Sequence, residues 1–336
     1  MTNINIKIIS TEEHEIWDRF IDNSPSGSVF HKFEWLKAAE SHSGFKLYPL
    51  AVYKGDVFIC AFPVYYHKKK SLKIILSPPN ACGIPHLGPV FHIETQKVYN
   101  YEKIYFNIMN QLIEYLSLQI GFDYLRIAFP PYLNDMRPLI WNNFRVSPNY
   151  TYEIYLSNGA DEVYHSFDSR VRQFIRNAEK NNSISIRKLN SEGIPGFIKL
   201  IKERYKDQGK EFKISEKYIS ELLKGSLAEN IHFIGAYLNS NIISGLVLLE
   251  YKNRVLHWLG AISPKEKITG INELLHWETI KEFESNGFKS YELMGANTKH
   301  LCQNKSKYNP DLVNYYVAEK SSWKGRIALS LFNRLR

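Results

Sequence analysis

Arg172 and Arg176 stand four residues apart in the segment 169–180, with Val171, Ile175 and Ala178 on one face of the implied helix and the two arginines on another. Two guanidiniums one helical turn apart can grip a phosphate or diphosphate bidentately. A solvated basic face has the same spacing, and both readings stay open. Residues 263–271 hold Lys265, Lys267 and Gly270 just ahead of a helix expected to open at Asn272. A helix N-terminus offers unpaired N–H groups and partial positive charge to an anion, and a plain surface loop before a helix would read the same way. Glu292, at the end of a strand-like run, can accept a proton from an amine directly or through water, or pair with a nearby lysine. His257 and His276 each sit beside a tryptophan, a pattern of packing, and no catalysis is assigned to them.

The elements that must position these groups occur twice. Residues 51–66 read as two β-rich runs joined by a Lys54-Gly55-Asp56 turn, and residues 236–251 repeat that layout around Asn239-Ser240-Asn241. Each hairpin is followed by a third strand-like run, at 72–76 and 255–261. Each half then carries an amphipathic helix, 106–120 or 272–286, closed by a Gly-Phe pair, Gly121-Phe122 or Gly287-Phe288, that leads into a strand. Two hairpins matched in this way imply a duplicated α/β (α+β) domain of largely antiparallel sheet flanked by helices. The first copy is expected over 1–150 and the second over 151–318, starting near residues 152–156, with 160–230 helical and polar. A basic amphipathic helix is expected over 319–336.

Composition narrows the class. With 336 residues, 44% hydrophobic and 23% charged, the chain can bury two ordinary cores. It has no run of eighteen apolar residues, and its first ten residues lack a signal-peptide layout, so a cytoplasmic location is expected. Three isolated cysteines write neither a disulfide framework nor a zinc spacing, and Cys60 and Cys82 read as buried fillers. A net charge of +9 favours an anionic partner: a phosphorylated donor, a nucleotide-linked substrate, RNA or an acidic membrane. The segment 321–336 mixes Trp323, Ile327, Leu331, Phe332 and Leu335 with Lys324, Arg326, Arg334 and Arg336 and no acid. It fits an interfacial helix on the inner face of the cell membrane or one that docks on the first domain.

Residues 30–36, 88–91, 169–180, 256–258 and 291–295, taken in order, resemble the FemAB family of aminoacyl- and acyltransferases of the bacterial cell envelope. The duplicated hairpin, strand and helix likewise resemble the GNAT acyltransferase unit. The resemblance implies tandem GNAT folds with no tightly bound cofactor, an acyl-CoA or aminoacyl-tRNA co-substrate, and an amino-bearing envelope precursor as acceptor. It places donor binding at Lys267, Gly270, Ile271 and Asn272, and substrate binding at Trp35, Arg172, Arg176 and Gln208. Residues 304–309 followed by 313–316 resemble the family's Phe-Lys-x-x-Phe-Gly segment, which makes Lys305 the family lysine and the candidate to face the oxyanion, with Glu292 as proton acceptor. By position alone Lys305 reads as an exposed lysine in a loop with Lys299 and Lys307.

Four departures stand out. Asn304 replaces the aromatic before the lysine, Glu292 occupies a position often Asp in the family, and Gln208 stands where peptidoglycan-acting members tend to have Arg. An amide does not replace a fixed charge on a diphosphate, so the acceptor is left open. The glycine-rich GNAT signature, Gln/Arg-x-x-Gly-x-Gly/Ala, is missing from 263–271. The Pro- and Gly-rich loop 77–89 of the first half reads as rigid turn structure, which leaves the donor site to the second copy. The alternative to an enzyme is a degenerate pair that binds a nucleotide-linked glycan or RNA without turnover.

Overall fold

The computed structural model describes residues 4–265 and 269–334. The chain forms two compact units, Met1–Asn149 with Asn314–Arg336, and Tyr150–Val313. Its strands, in chain order, are β1 (Ile4–Ile8), β2 (Lys46–Lys54), β3 (Val57–Lys69), β4 (Leu72–Ser77), β5 (Val90–Phe91), β6 (Tyr124–Ala128), β7 (Arg145–Tyr155), β8 (Ile184–Lys188), β9 (Ile231–Leu238), β10 (Asn241–Tyr251), β11 (Arg254–Ile262), β12 (Ser290–Glu292) and β13 (Asp311–Ser321).

In the first unit β1 to β4 pair consecutively and antiparallel, β5 adds a short pairing to β3, and β6 returns parallel to β4 after the helix Val98–Tyr115. In the second unit β8 to β11 pair in the same antiparallel succession, and β12 returns parallel to β11 after the helix Ile271–Ser285. Each unit is therefore a mixed, largely antiparallel sheet flanked by helices. The strand that follows each repeat belongs to the other unit: β7 runs antiparallel to β12, and β13 runs antiparallel to β6. The C-terminal helix Trp323–Arg334 groups with the first unit.

Local chemistry explains the duplication. Both hairpins turn through a left-handed residue at the same place, Gly55 at φ 61° and Asn239 at φ 54°. The helix Ile271–Ser285 ends in a Schellman motif, in which the Phe288 N–H reaches the Phe283 carbonyl at 3.1 Å and the Gly287 N–H the Glu284 carbonyl at 2.8 Å. The Phe283 and Phe288 rings meet edge-on, centroids 5.2 Å apart, as the hydrophobic contact of that motif. The first copy differs: its last turn widens over Leu116–Ile120 and the Gly121 N–H bonds the Leu116 carbonyl at 2.9 Å. Tyr105, Ile108, Met109 and Leu112 pack one helix onto the first core; Leu274, Leu275, Ile280 and Phe283 pack the other onto the second.

The structure changes three expectations. The second unit ends at Val313, not 318, because β13 carries residues 314–321 into the first unit, and the C-terminal helix begins at Trp323, not 319. The first helix begins at Val98, not 106. The stretch 160–230 holds four α-helices, a short 3-10 helix at its end and also β8, which fills the edge place that β1 takes in the first copy. With only two isoleucines, Ser185 between them and Arg187 and Lys188 after, β8 looks like loop in the sequence.

Candidate active site

The second unit is held open where its two parallel strands part. β11 and β12 pair only between Arg254–Leu256 and Ser290–Glu292, after which β11 continues to Ile262 with no strand on that side among the described residues. Two features drive the separation. A bulge shifts the β10 register between Val247 and Leu248, leaving Trp258 as the extra residue of β11 and bending that strand. Beyond Glu292, Met294 and Gly295 adopt φ of 55° and 75° and turn the chain away.

Lys305, the last residue of the helix Lys299–Lys305, reaches this parting. Its Nζ donates to the Leu293 carbonyl and, at 3.2 Å, to the Met294 carbonyl. The exposed-loop reading of Lys305 is thus corrected: the side chain is half-buried and held by backbone carbonyls that the departing strand leaves over. Burial pulls its pKa down to about 8, against the opposing pull of Glu292 and Cys302. An ammonium has three donors, and two are used among the described residues, which leaves one N–H to offer a reacting group.

Glu292 is buried at the last position of β12 and accepts from the Thr151 hydroxyl at 2.7 Å. Four further side chains are buried in the second unit, within reach of the Lys305 charge or of one another: His257, His276, Tyr291 and Tyr308. His257 and His276 stand 5.0 Å apart between ring centroids, and His276 Nδ1 is 3.2 Å from the Tyr291 hydroxyl. Burial first, then the charge of Lys305, holds His257 well below its ordinary pKa and His276 at about 3, so both are neutral at pH 7. His257 Nδ1 and the Tyr308 hydroxyl are buried with no hydrogen-bond partner among the described residues. The sequence reading missed Thr151 and this cluster; only the His-Trp pairs hinted at it, and they read as packing.

Gly270 brings two of the sequence candidates together. At φ 92° it precedes the helix Ile271–Ser285, and a Cβ there would lie 2.4 Å from the Phe174 carbonyl. Phe174 sits between Arg172 and Arg176 on the helix Ser169–Glu179, so the end of the 263–270 loop abuts the arginine helix. The helix opens at Ile271, one residue before the expected Asn272, whose Oδ1 lies 3.5 Å from the Ser244 hydroxyl. Lys267 lies outside the described residues. Arg172 donates to the His165 carbonyl at 2.9 Å and Arg176 to the Tyr164 hydroxyl at 3.5 Å, so each is steered by the preceding helix Ala160–Ser166. Gln208 caps the helix Gly193–Asp207 in an exposed position.

Trp35 belongs to the first unit and is a correction. It is fully buried, with Phe30 edge-on at 5.0 Å, so its ring has no face for a substrate and packs the core instead. The first copy also closes its own parting: β4 and β6 pair over Ile74–Ser77 and Tyr124–Ile127, and the loop that follows β4 returns so that the Leu87 N–H bonds the Ala128 carbonyl at 2.8 Å. The Leu87 carbonyl in turn lies 2.9 Å from His31 Nε2. The chain itself occupies the place that stays open in the second copy.

This geometry agrees with comparisons to known proteins. Residues 165–300 match the model of the acetyltransferase (GNAT) domain. FemX shares the fold at a TM-score of 0.70 and 14% identity, over 93% of this chain and 96% of that one. The C-terminal domain of a putative lysylphosphatidylglycerol synthetase from Agrobacterium fabrum gives 0.58 at 11% identity, covering 96% of both chains. A tandem GNAT protein of the clavulanic acid biosynthesis pathway gives 0.53 at 8% identity, over 95% of this chain and 98% of that one. No curated protein matches the sequence significantly. The second unit thus carries the match to the GNAT domain, the chain shares the fold of FemX, and the FemAB-like resemblance in its motifs is matched by that architecture. Among the described residues, no helix is long and apolar enough to cross a membrane.

Proposed function

We propose that the chain is an N-acyltransferase that moves an acyl or aminoacyl group from acyl-CoA or aminoacyl-tRNA to an amine of a cell-envelope precursor: an amino sugar, a glycan or a peptidoglycan peptide. The observation that carries this reading is the Lys305 ammonium at the parting of β11 and β12, inside the unit that matches the GNAT domain. The FemAB-like motifs and the names of the FemX and lysylphosphatidylglycerol synthetase neighbours support an aminoacyl donor and an envelope acceptor.

In this reading the donor's phosphates lie at Gly270, Ile271 and Asn272, where the first N–H groups of a fifteen-residue helix have no partner within the helix. Lys267 in the same loop, and Arg172 and Arg176 on the adjoining helix, add positive charge for the donor or for a phosphorylated acceptor, with Gln208 on the acceptor side. The acceptor amine attacks the carbonyl carbon and a C–N bond forms. Lys305 donates its remaining N–H to the oxyanion, and Glu292 takes the ammonium proton directly or through water. Collapse breaks the C–S bond of a thioester or the C–O bond of a ribose ester, and the leaving sulfur or oxygen takes up that proton. No cofactor is consumed.

Mass spectrometry of small molecules retained on the purified protein, followed by a screen of acyl-CoA and aminoacyl-tRNA donors against amine acceptors, tests the proposal. A donor retained and turned over supports it. Donor binding without product across the acceptors would instead favour a binding module, the reading that the missing glycine signature permits.

A further inference from the structure

The first unit carries a basic and apolar surface that acyl transfer does not use. The turn joining β3 to β4 exposes Lys68, Lys69, Lys70 and Lys73, and Lys68 lies directly across the hairpin from Lys73. Asp123 ties that turn to the C-terminal helix. Its carboxylate accepts from the Lys73 N–H at 3.0 Å and from the Ser322 hydroxyl at 2.9 Å, and its carbonyl accepts from the Ser322 N–H at 2.9 Å. Gly325 allows this docking, since a Cβ there would lie 2.0 Å from the Asp123 carbonyl oxygen.

The docked helix presents large apolar side chains to water one turn apart: Trp323 is 63% exposed and Ile327 54% exposed. Leu118, 70% exposed, lies on the turn Leu116–Ile120, next to Gly121, against which the Lys73 ammonium rests. Lys324 and Arg326 are exposed on the same helix, and residues 321–336 contain no acid. Of the carboxylates here, Asp123 is engaged as above and Glu319 with the Tyr124 hydroxyl and Arg126, while Glu114, one turn before Leu118, is exposed and outnumbered by the lysines and Arg326. Unneutralised positive charge beside exposed Trp and aliphatic side chains complements the headgroup and acyl boundary of an anionic bilayer. A nucleic acid would meet the same charge but would leave the aliphatic side chains in water.

We propose that the β3–β4 lysine turn and the C-terminal helix form one peripheral binding surface for anionic membrane lipid, with Trp323 and Ile327 entering the interface and the lysines facing the headgroups. Co-sedimentation of the full chain with vesicles of phosphatidylcholine alone, or mixed with phosphatidylglycerol, reads this directly. The wild type should pellet only with the anionic vesicles and be released by salt. Replacing the turn lysines (K68Q/K69Q/K70Q) should lower partitioning on the order of a hundredfold, and W323S/I327S should lower it at unchanged salt dependence. All these side chains are exposed, and an unchanged circular dichroism spectrum and melting temperature would confirm folding. Equal pelleting of the lysine variant and the wild type, indifference to vesicle charge, or binding to single-stranded RNA with none to vesicles would overturn the assignment.

Discussion

Lys305 Nζ donates to the Met294 carbonyl at 3.2 Å, at the point where Met294 turns through a left-handed conformation and the chain leaves β12. The lysine thus joins two tasks, bonding the carbonyls of a strand that ends early and holding a positive charge at the resulting gap. Lys305→Met keeps most of the side-chain volume but removes the charge and both bonds. It should lower acyl transfer by more than about tenfold, or about 1.4 kcal/mol of barrier. It should also cost about 1–3 kcal/mol of stability through the unpaired carbonyls while leaving the chain folded. Steady-state kinetics beside thermal melting separates the effects, and wild-type turnover in the variant would remove the role.

The pH dependence follows from the lowered pKa of Lys305. Its native value of about 8 lies below the ordinary 10.5, so between these two pH values the unfolded chain holds a proton that the native chain has lost. Stability from this group therefore rises with pH across that window, while activity that needs the ammonium falls as pH passes about 8. Melting temperatures of wild type and Lys305→Met from pH 7 to 11 should show the rise in the wild type alone. Parallel curves would contradict it.

His276 works in the opposite range. Its native pKa near 3 lies below the ordinary 6.5, so as pH drops from 6.5 the unfolded chain takes up a proton that the native chain refuses. Stability falls across that interval. His276→Gln, which can still bond the Tyr291 hydroxyl, should unfold less steeply with acid in urea titrations. An unchanged slope would show that other groups control acid unfolding.

Thr151→Val removes the hydroxyl that holds Glu292 at 2.7 Å and keeps the side-chain shape. A hydrogen bond to a charged group contributes about 1.5–3 kcal/mol, so kcat should fall about tenfold or more with KM little changed. A kcat at the wild-type value would mean that Glu292 needs no such support.

Gly270→Val places a side chain 2.4 Å from the Phe174 carbonyl, at a φ that L residues rarely adopt. Differential scanning fluorimetry should register a loss of about 1–3 kcal/mol, and donor retention should weaken as the loop leaves the arginine helix. A variant that melts with the wild type would show that the close approach is dispensable.

These residues also mark what the sequence could and could not reveal. The repeat was legible because its signals are local: a two-residue turn, a third strand, and a glycine followed by phenylalanine at a helix end. Gly287 and Phe288 announce their Schellman cap without help from the rest of the chain. The exchange of closing strands was illegible, since nothing in residues 145–155 says which parallel strand they will join. β8 was hidden in a polar stretch because edge strands need little apolar surface. Lys305 was visible only through the family motif, because its partners are backbone carbonyls created by the conformation of Met294. The helix Ser169–Glu179 and the loop before Gly270 were each legible, but their contact rests on one absent Cβ.

The second unit is proposed to join an acyl group to an amine beside Lys305. Incubating wild type and Lys305→Met with an acyl-CoA or aminoacyl-tRNA and an amino-bearing envelope precursor, then weighing the acceptor by mass spectrometry, tests it most directly. The acceptor should gain the mass of the acyl group with the wild type and gain it at least about tenfold more slowly with the variant. Equal product from both proteins, or a donor that binds and is never consumed, would contradict it.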